Sequence, residues 1–289
     1  MLTFALFAFP DRPNAHTWAF HAAQRLVEEG AGVYLEEQLS AAAPPDLLSK
    51  VSICSIAELG KFADIVITFG GDGTLLAAAH VLIGTDVPIM GVNVGKLGFL
   101  AEYPVAKLDD GIMELLKGDY RIVDRTTIET EWEDQTACAL NEIVVERSAG
   151  AKILTIRTFV NDHLVADFRS DGVLVSTPTG STAYSLAAGG PIIAPSANVF
   201  CLTAISPHTL TVRPLIVSDT SQIRFELPES GSDARIVADG RVVGVMKQKN
   251  SLTIRRSNHL LKLVKQPDNT YFDLLREKLL WSADGAKKS

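Results

Sequence analysis

A chain of 289 residues, 47% hydrophobic and only 21% charged, holds roughly two domains of about 150 residues and enough apolar side chain for two cores. That excludes a small stapled scaffold and a chain that is mainly disordered. With 27 Lys and Arg against 34 Asp and Glu, the net charge of −7 has the wrong sign for a sequence-blind nucleic-acid binder. A local cluster can still meet a phosphate.

Met1 to Phe9 reads as a buried first strand. The run lacks a basic start and is broken at Pro10-Asp11-Arg12, well short of the ~20 residues of a membrane span. Asn14 is the expected N-cap of a helix to about Glu29, with Trp18, Ala22 and Leu26 recurring every four residues and Gly30 ending it. Cys54, Cys138 and Cys201 are odd in number and widely spaced, which encodes neither a disulfide framework nor a zinc ribbon and fits a reducing, cytoplasmic setting. Ile65 to Phe69 is continuously apolar, as a parallel strand covered on both faces should be. It enters Gly70-Gly71-Asp72-Gly73-Thr74, followed by a helix from about Leu75 to Leu82, a strand from Ile89 to Val92 and a second glycine turn from Asn93 to Gly98.

From about Tyr120 the pattern alternates with period two, in Thr127 to Trp132 and Ile153 to Val160, with turns at Asn161-Asp162 and Asp239-Gly240. This predicts an antiparallel β domain that continues through Gln222 to Leu227, Ala234 to Val245 and Ser251 to Val264. A last helix, about Thr270 to Trp281, carries Phe272, Leu275 and Leu279 at helical spacing and is expected to pack back on the first domain. Gly285 to Ser289 reads as a frayed tail.

The glycines of the first turn permit close backbone approach, and the helix that follows presents free N–H groups, a place to hold phosphate through Gly70, Gly71, Gly73 and Thr74. The turn is neither GxGxxG, because Leu76 stands where the third glycine would be, nor a Walker A loop. The carboxylate of Asp72 repels phosphate unless a divalent cation or a proton intervenes, which suggests catalysis or metal binding. Taken alone, Asp72 serves equally well as a helix cap, where asparagine could replace it at little cost in stability.

A second block, Asp171-Gly172 through Ser176-Thr177-Pro178-Thr179-Gly180-Ser181-Thr182-Ala183-Tyr184-Ser185 and on to Gly189-Gly190-Pro191, is more specific. Together with Gly70 to Thr74, Gly95-Lys96-Leu97-Gly98-Phe99-Leu100, Leu140-Asn141-Glu142-Ile143 and Pro207-His208-Thr209-Leu210, it closely resembles the NAD kinase family over roughly Ile65 to Asp239. The resemblance implies transfer of the terminal phosphoryl of ATP, or of polyphosphate, to the 2′-hydroxyl of the adenosine ribose of NAD, with a divalent cation, Mg²⁺ by expectation. It implies Asp72 as the catalytic aspartate and Gly73 beside the substrate. Asn141 and Glu142 match the dinucleotide-contacting pair, which requires the strand to end or bulge there, because neighbours on a true strand point to opposite faces. Thr179, Thr182, Ala183, Tyr184, Ser185, Leu186 and Ala187 match the substrate-binding block, Arg169 and Asp171 a further pair, and Phe99 and Ser206 lining positions.

The implied architecture is a Rossmann-like α/β domain, 1–120 with 267–289, and a β-sandwich-like domain, 121–266, with the site at their seam. The implied assembly is a homodimer or homotetramer, with no nucleic acid or membrane as partner. Arg241 departs from the polar residue of several members, and His208 reads as structural. Two other readings are a lipid or sugar kinase sharing the glycine-turn aspartate, and a non-catalytic dinucleotide sensor. Activity on NAD in preference to diacylglycerol or fructose 6-phosphate separates the first, and turnover the second.

Overall fold

The computed structural model describes residues 1–148, 150–229, 231–266 and 269–281, so the expected frayed tail lies outside the described residues. The chain forms two compact units: residues 1–124 with the chain from Leu261 on, and residues 125–260.

In the first unit β1 (Thr3–Phe7), β2 (Gly32–Glu36), β3 (Ser52–Cys54), β4 (Ile65–Gly70), β5 (Ile89–Asn93) and the short β6 (Tyr103–Pro104) are all parallel, in the order β6-β5-β4-β1-β2-β3. Phe4, Leu6, Ile65, Ile67, Phe69, Met90 and Val92 are fully buried, because crossover helices cover the sheet. One of these helices, Pro13–Glu28, buries the small residues Ala15, Ala19, Ala22 and Ala23 with Leu26 against the same core. It starts one residue before the expected Asn14 cap. Arg12 is the N-cap, and Pro13 takes the first helical position, where a missing N–H costs nothing. The helix Asp72–Leu82 likewise begins three residues early, with Gly71 as N-cap and no side-chain cap bond, so the glycine turn is itself the first helical turn. The C-terminal helix, Tyr271–Leu279, belongs to this unit. Thr270 and Asp273 close its first turn as a capping box, and it buries Leu274 and Leu275 while Phe272 stays 63% exposed, so the apolar stripe differs from the predicted one.

The strands β7 (Arg121–Trp132), β8 (Gln135–Ala139), β9 (Glu142–Arg147), β10 (Leu154–Val160), β11 (His163–Ser170), β12 (Gly172–Ser176), β13 (Val199–Ile205), β14 (Leu215–Ser218), β15 (Ile223–Glu226), β16 (Ala234–Ala238), β17 (Arg241–Met246) and β18 (Ser251–Lys265) follow. Six of them form an antiparallel sheet in the order β14-β13-β12-β9-β16-β17. The series β11-β10-β15-β18, with the β7-β8 hairpin on β18, forms the second layer. Alternate residues such as Ile143, Val145, Val173 and Val175 from one layer and Ile156, Phe225 and Ile254 from the other share one core, a sandwich. β7 and β18 both run through the boundary between the units. Among the described residues no helix is long and apolar enough to cross a membrane.

Candidate active site

The first unit contains a cavity of about 670 Å³ lined by Gly70, Gly71, Gly73 and Thr74 on one side and by Asp11, Arg12, Pro13 and Asn14 on another, with Asn93, Gly95 and Lys96 completing it. The four residues expected to hold phosphate are therefore gathered on one wall. The glycines serve close approach: a Cβ at Gly70 would lie 2.2 Å from the hydroxyl oxygen of Thr74. Arg12 and Lys96 bring positive charge to the rim, and sequence reasoning did not single them out. The signal was available for Lys96, since Asn93-Val94-Gly95-Lys96 leaves an apolar strand as the first glycine turn does.

Asp72 stands at the head of its helix but does not cap it. Its Oδ2 accepts the N–H of Phe99 at 2.8 Å, and its Oδ1 accepts those of Leu100 and Ala101, each at 2.9 Å. Three successive amides thus fix the carboxylate from a loop 27 to 29 residues away. Phe99 is half-buried, its ring 5.4 Å below the Lys278 ammonium.

In the second unit the structure joins three of the motifs. β9 begins at Glu142, so Asn141 lies just outside the strand, as joint use of the pair demands. The Thr177 N–H donates to the Asn141 carbonyl at 2.9 Å, and the Thr177 hydroxyl donates to the Leu140 carbonyl at 2.6 Å. Gly180 packs so close that a Cβ there would sit 2.1 Å from the Asn141 carbonyl oxygen. Asp239, at φ 46° in its turn, accepts the N–H groups of Leu140, Asn141 and Glu142 at 2.7 to 3.0 Å. Glu142 is buried, one of its carboxyl oxygens without a hydrogen-bond partner. Burial first, and the Asp239 carboxylate second, push its carboxyl up to about 8, while the Tyr184 backbone N–H pulls the other way.

Tyr184 keeps 39% of its surface exposed, and its hydroxyl is raised by burial and by the carboxylates of Glu146, Asp171 and Glu142. Thr182 is half-buried, its hydroxyl donating to the Thr179 carbonyl at 3.2 Å; Thr179 is buried, Ala183 and Leu186 are half-buried, and Ala187 is exposed. Ser185 is fully buried, its hydroxyl 3.3 Å from that of Thr203. Ser206 is exposed at φ 46° on leaving β13. The Asp171 carboxylate binds the Arg147 guanidinium at 2.6 Å, and Arg169 is exposed on β11. Arg147 was missed because it is joined to Asp171 only by the pairing of β9 with β12. His208 is exposed, its backbone N–H donating to the Arg169 carbonyl at 2.8 Å. Among the described residues no three His, Cys, Asp or Glu side chains group as metal ligands.

The N-terminal domain model of ATP-NAD kinase matches residues 5–120, and the C-terminal domain model matches residues 140–266. An NAD kinase of Chlorobium limicola is 38% identical over 257 residues, 88% of each chain. An NAD kinase of Syntrophotalea carbinolica is 36% identical over 286 residues, 97% of this chain and 99% of its own. The crystal structure of yeast NADH kinase complexed with NADH overlays on all of this chain and 90% of its own with a TM-score of 0.88 at 21% identity. An NAD kinase from Archaeoglobus fulgidus in complex with ATP overlays on 97% of this chain and 98% of its own, with a TM-score of 0.75 at 24% identity. The two structures establish the fold.

Proposed function

The chain belongs to the NAD kinase family, and from that premise we propose how its residues divide the work of phosphorylating NAD to NADP. The enzyme is a phosphotransferase, and ATP is the donor of its family. Inorganic polyphosphate is proposed as a second donor, since a cavity of glycine amides and the Thr74 hydroxyl, with Arg12 and Lys96 also on its lining, selects phosphates more than a nucleoside.

The donor phosphates lie on Gly70, Gly71, Gly73 and Thr74, with Lys96 and Arg12 over them. Asp72 accepts the proton of the adenosine 2′-hydroxyl as that oxygen bonds to the terminal phosphorus; the bond to the bridging oxygen breaks, and ADP leaves with the electron pair. Phosphoryl transfer needs chiefly positioning and charge neutralisation. The carrying observation is the Asp72 carboxylate fixed by three amides, which occupy three of its roughly four acceptor sites and leave one on Oδ2 for the hydroxyl.

Asn141, Glu142, Thr179, Thr182 and Tyr184 are the proposed dinucleotide contacts, with Ala183, Leu186, Ala187, Phe99 and Ser206 lining. Ser185 acts from behind, through Thr203, and Arg169 and Asp171 act as separate groups. A protein cage for a cation is absent among the described residues, and Asp11 is the only carboxylate on the cavity lining, which fits a magnesium ion that arrives on the donor phosphates. Such an ion neutralises charge on the transferred group.

A cytoplasmic homodimer or homotetramer is the proposed state. Three free cysteines support the compartment. Exposed Leu215 and Ile216 on β14 and Val242 and Val245 on β17, the two edges of one sheet, support self-association. In a coupled assay, Asp72→Asn should lower kcat by about 10²- to 10⁴-fold, with NAD binding retained in calorimetry. A kcat within tenfold of the parent would remove Asp72 from the base role.

A further inference from the structure

The loop that grips Asp72 is itself held at both ends by a single side chain. Asn93, the last residue of β5, is 4% exposed. Its Oδ1 accepts the Gly95 N–H at 2.7 Å, and its Nδ2 donates to the Lys96 carbonyl at 2.5 Å and to the Ala101 carbonyl at 3.3 Å. Both N–H groups of the amide and one lone pair of its oxygen are thereby spent on the loop's backbone. Inside that loop the Gly98 N–H donates to the Ala101 carbonyl at 3.2 Å, a tight turn that aims the next three N–H groups at one carboxylate. The turn tolerates no side chain at Gly98, where a Cβ would fall 1.9 Å from Asp72 Oδ1 and 2.7 Å from its Cγ.

We infer that Asn93 and Gly98 are positioning residues for the phosphoryl transfer: Asn93 sets the path of residues 95–101, and the amides of Phe99 to Ala101 then set the Asp72 carboxylate. The inference rests on the catalytic reading of Asp72. Its physical content is rotamer control. A carboxylate on an exposed helix start would sample several rotamers, and three amides from one rigid turn leave it one.

The test combines kinetics with amide hydrogen exchange on the intact enzyme. Asn93→Ala should release the amides of Phe99, Leu100 and Ala101 to faster exchange. It should also lower kcat by about 10²-fold, the cost of a misplacement near 1 Å, with the KM for ATP rising alongside because the same loop carries Lys96. Asn93→Asp keeps the acceptor for Gly95 but sets a carboxylate oxygen against the Lys96 and Ala101 carbonyls, so its kcat should fall at least as far as that of Asn93→Ala. Gly98→Ala should match Asn93→Ala in kcat if it folds, and its circular dichroism and Tm report whether it does.

An Asn93→Ala enzyme with undiminished kcat, or one in which only the KM for ATP rises, would overturn the inference, the second result making Asn93 a donor contact. Unchanged protection of the three amides would overturn it as well. Retained activity in Asp72→Asn would sink the reading of Asp72 alone, and the exchange data would still decide whether Asn93 holds the loop.

Discussion

Glu142 carries a pH dependence that can be worked out with its sign. An ordinary glutamate in the unfolded chain titrates near 4.5, and in the folded protein burial and Asp239 raise this group to about 8. Below 4.5 the carboxyl is protonated in both states and costs nothing. Between 4.5 and about 8 the folded state holds a proton that the unfolded state has released, so stability falls steadily as pH rises through that window. Glu142→Gln should flatten this slope, and its gain over the parent should be larger at pH 9 than at pH 5 in urea titrations at both pH values. Asp72 yields a second residue-scale expectation. As a mere helix cap, Asp72→Asn would leave stability unchanged, but the carboxylate binds amides through both oxygens, and the amide nitrogen of asparagine cannot accept. At least one charge-assisted bond is lost, and a decrease of about 1.5 to 3 kcal/mol in denaturant unfolding is expected. Tyr184→Phe removes one hydroxyl from a side chain with 39% of its surface exposed, and the KM for NAD should rise about tenfold, equivalent to one hydrogen bond of roughly 1 to 1.5 kcal/mol.

At the scale of elements, Gly180 joins the Thr/Ser/Tyr block to the start of β9 by backbone contact alone. Gly180→Ala puts a methyl group 2.1 Å from a carbonyl that already accepts the Thr177 N–H. Overpacking against backbone cannot relax by a rotamer change, so a loss of about 3 kcal/mol or more is expected in chemical denaturation. Much of this architecture was legible in the chain. The run Ile65 to Phe69, the glycine turn after it and the Asp239-Gly240 turn carry their conformations in their own composition. The requirement that the strand end at Asn141-Glu142 followed from side-chain alternation. Long-range pairing was not legible. The amides that fix Asp72 come from residues 99–101, and the cation for Asp171 is Arg147, contacts set by strand order, which no local pattern encodes. β2 is as long as β1 but offers only Val33-Tyr34-Leu35 between a glycine and a glutamate, and two of the three residues of β3 are exposed, so neither carries a strong strand pattern. The helix starts at Pro13 and Asp72 were misplaced because capping preference was weighed above the fixed φ of proline in one case and above the freedom of glycine in the other.

For the molecule as a whole, the decisive contacts of the first unit arrive late in the sequence. Leu263 of β18 lies beside Ile89 of β5, the buried Lys265 ammonium pairs with Glu102 at 2.8 Å, and Leu274 and Leu275 enter the core. A chain ended after Gln266 loses the last two, each worth about 1.5 to 3 kcal/mol of burial. Against a typical stability of 5 to 15 kcal/mol, this should leave unit one melting ahead of unit two, seen as two separated transitions in calorimetry where the full chain shows them closer. The same order has a meaning during synthesis. A ribosome that has finished Asp124 must translate all of residues 125–260 before Leu261 is made, and at 5 to 20 residues per second that interval lasts roughly 7 to 27 s. Throughout it the nascent first unit has β6 on the Val92–Asn93 end of β5 but not β18 beside Ile89, and it lacks the helix that sets Lys278 over Phe99. The inserted sandwich is itself complete only when β18 joins β15 at the end of that interval, so insert and host both wait half-built, and this stretch of translation is when the protein most needs a chaperone.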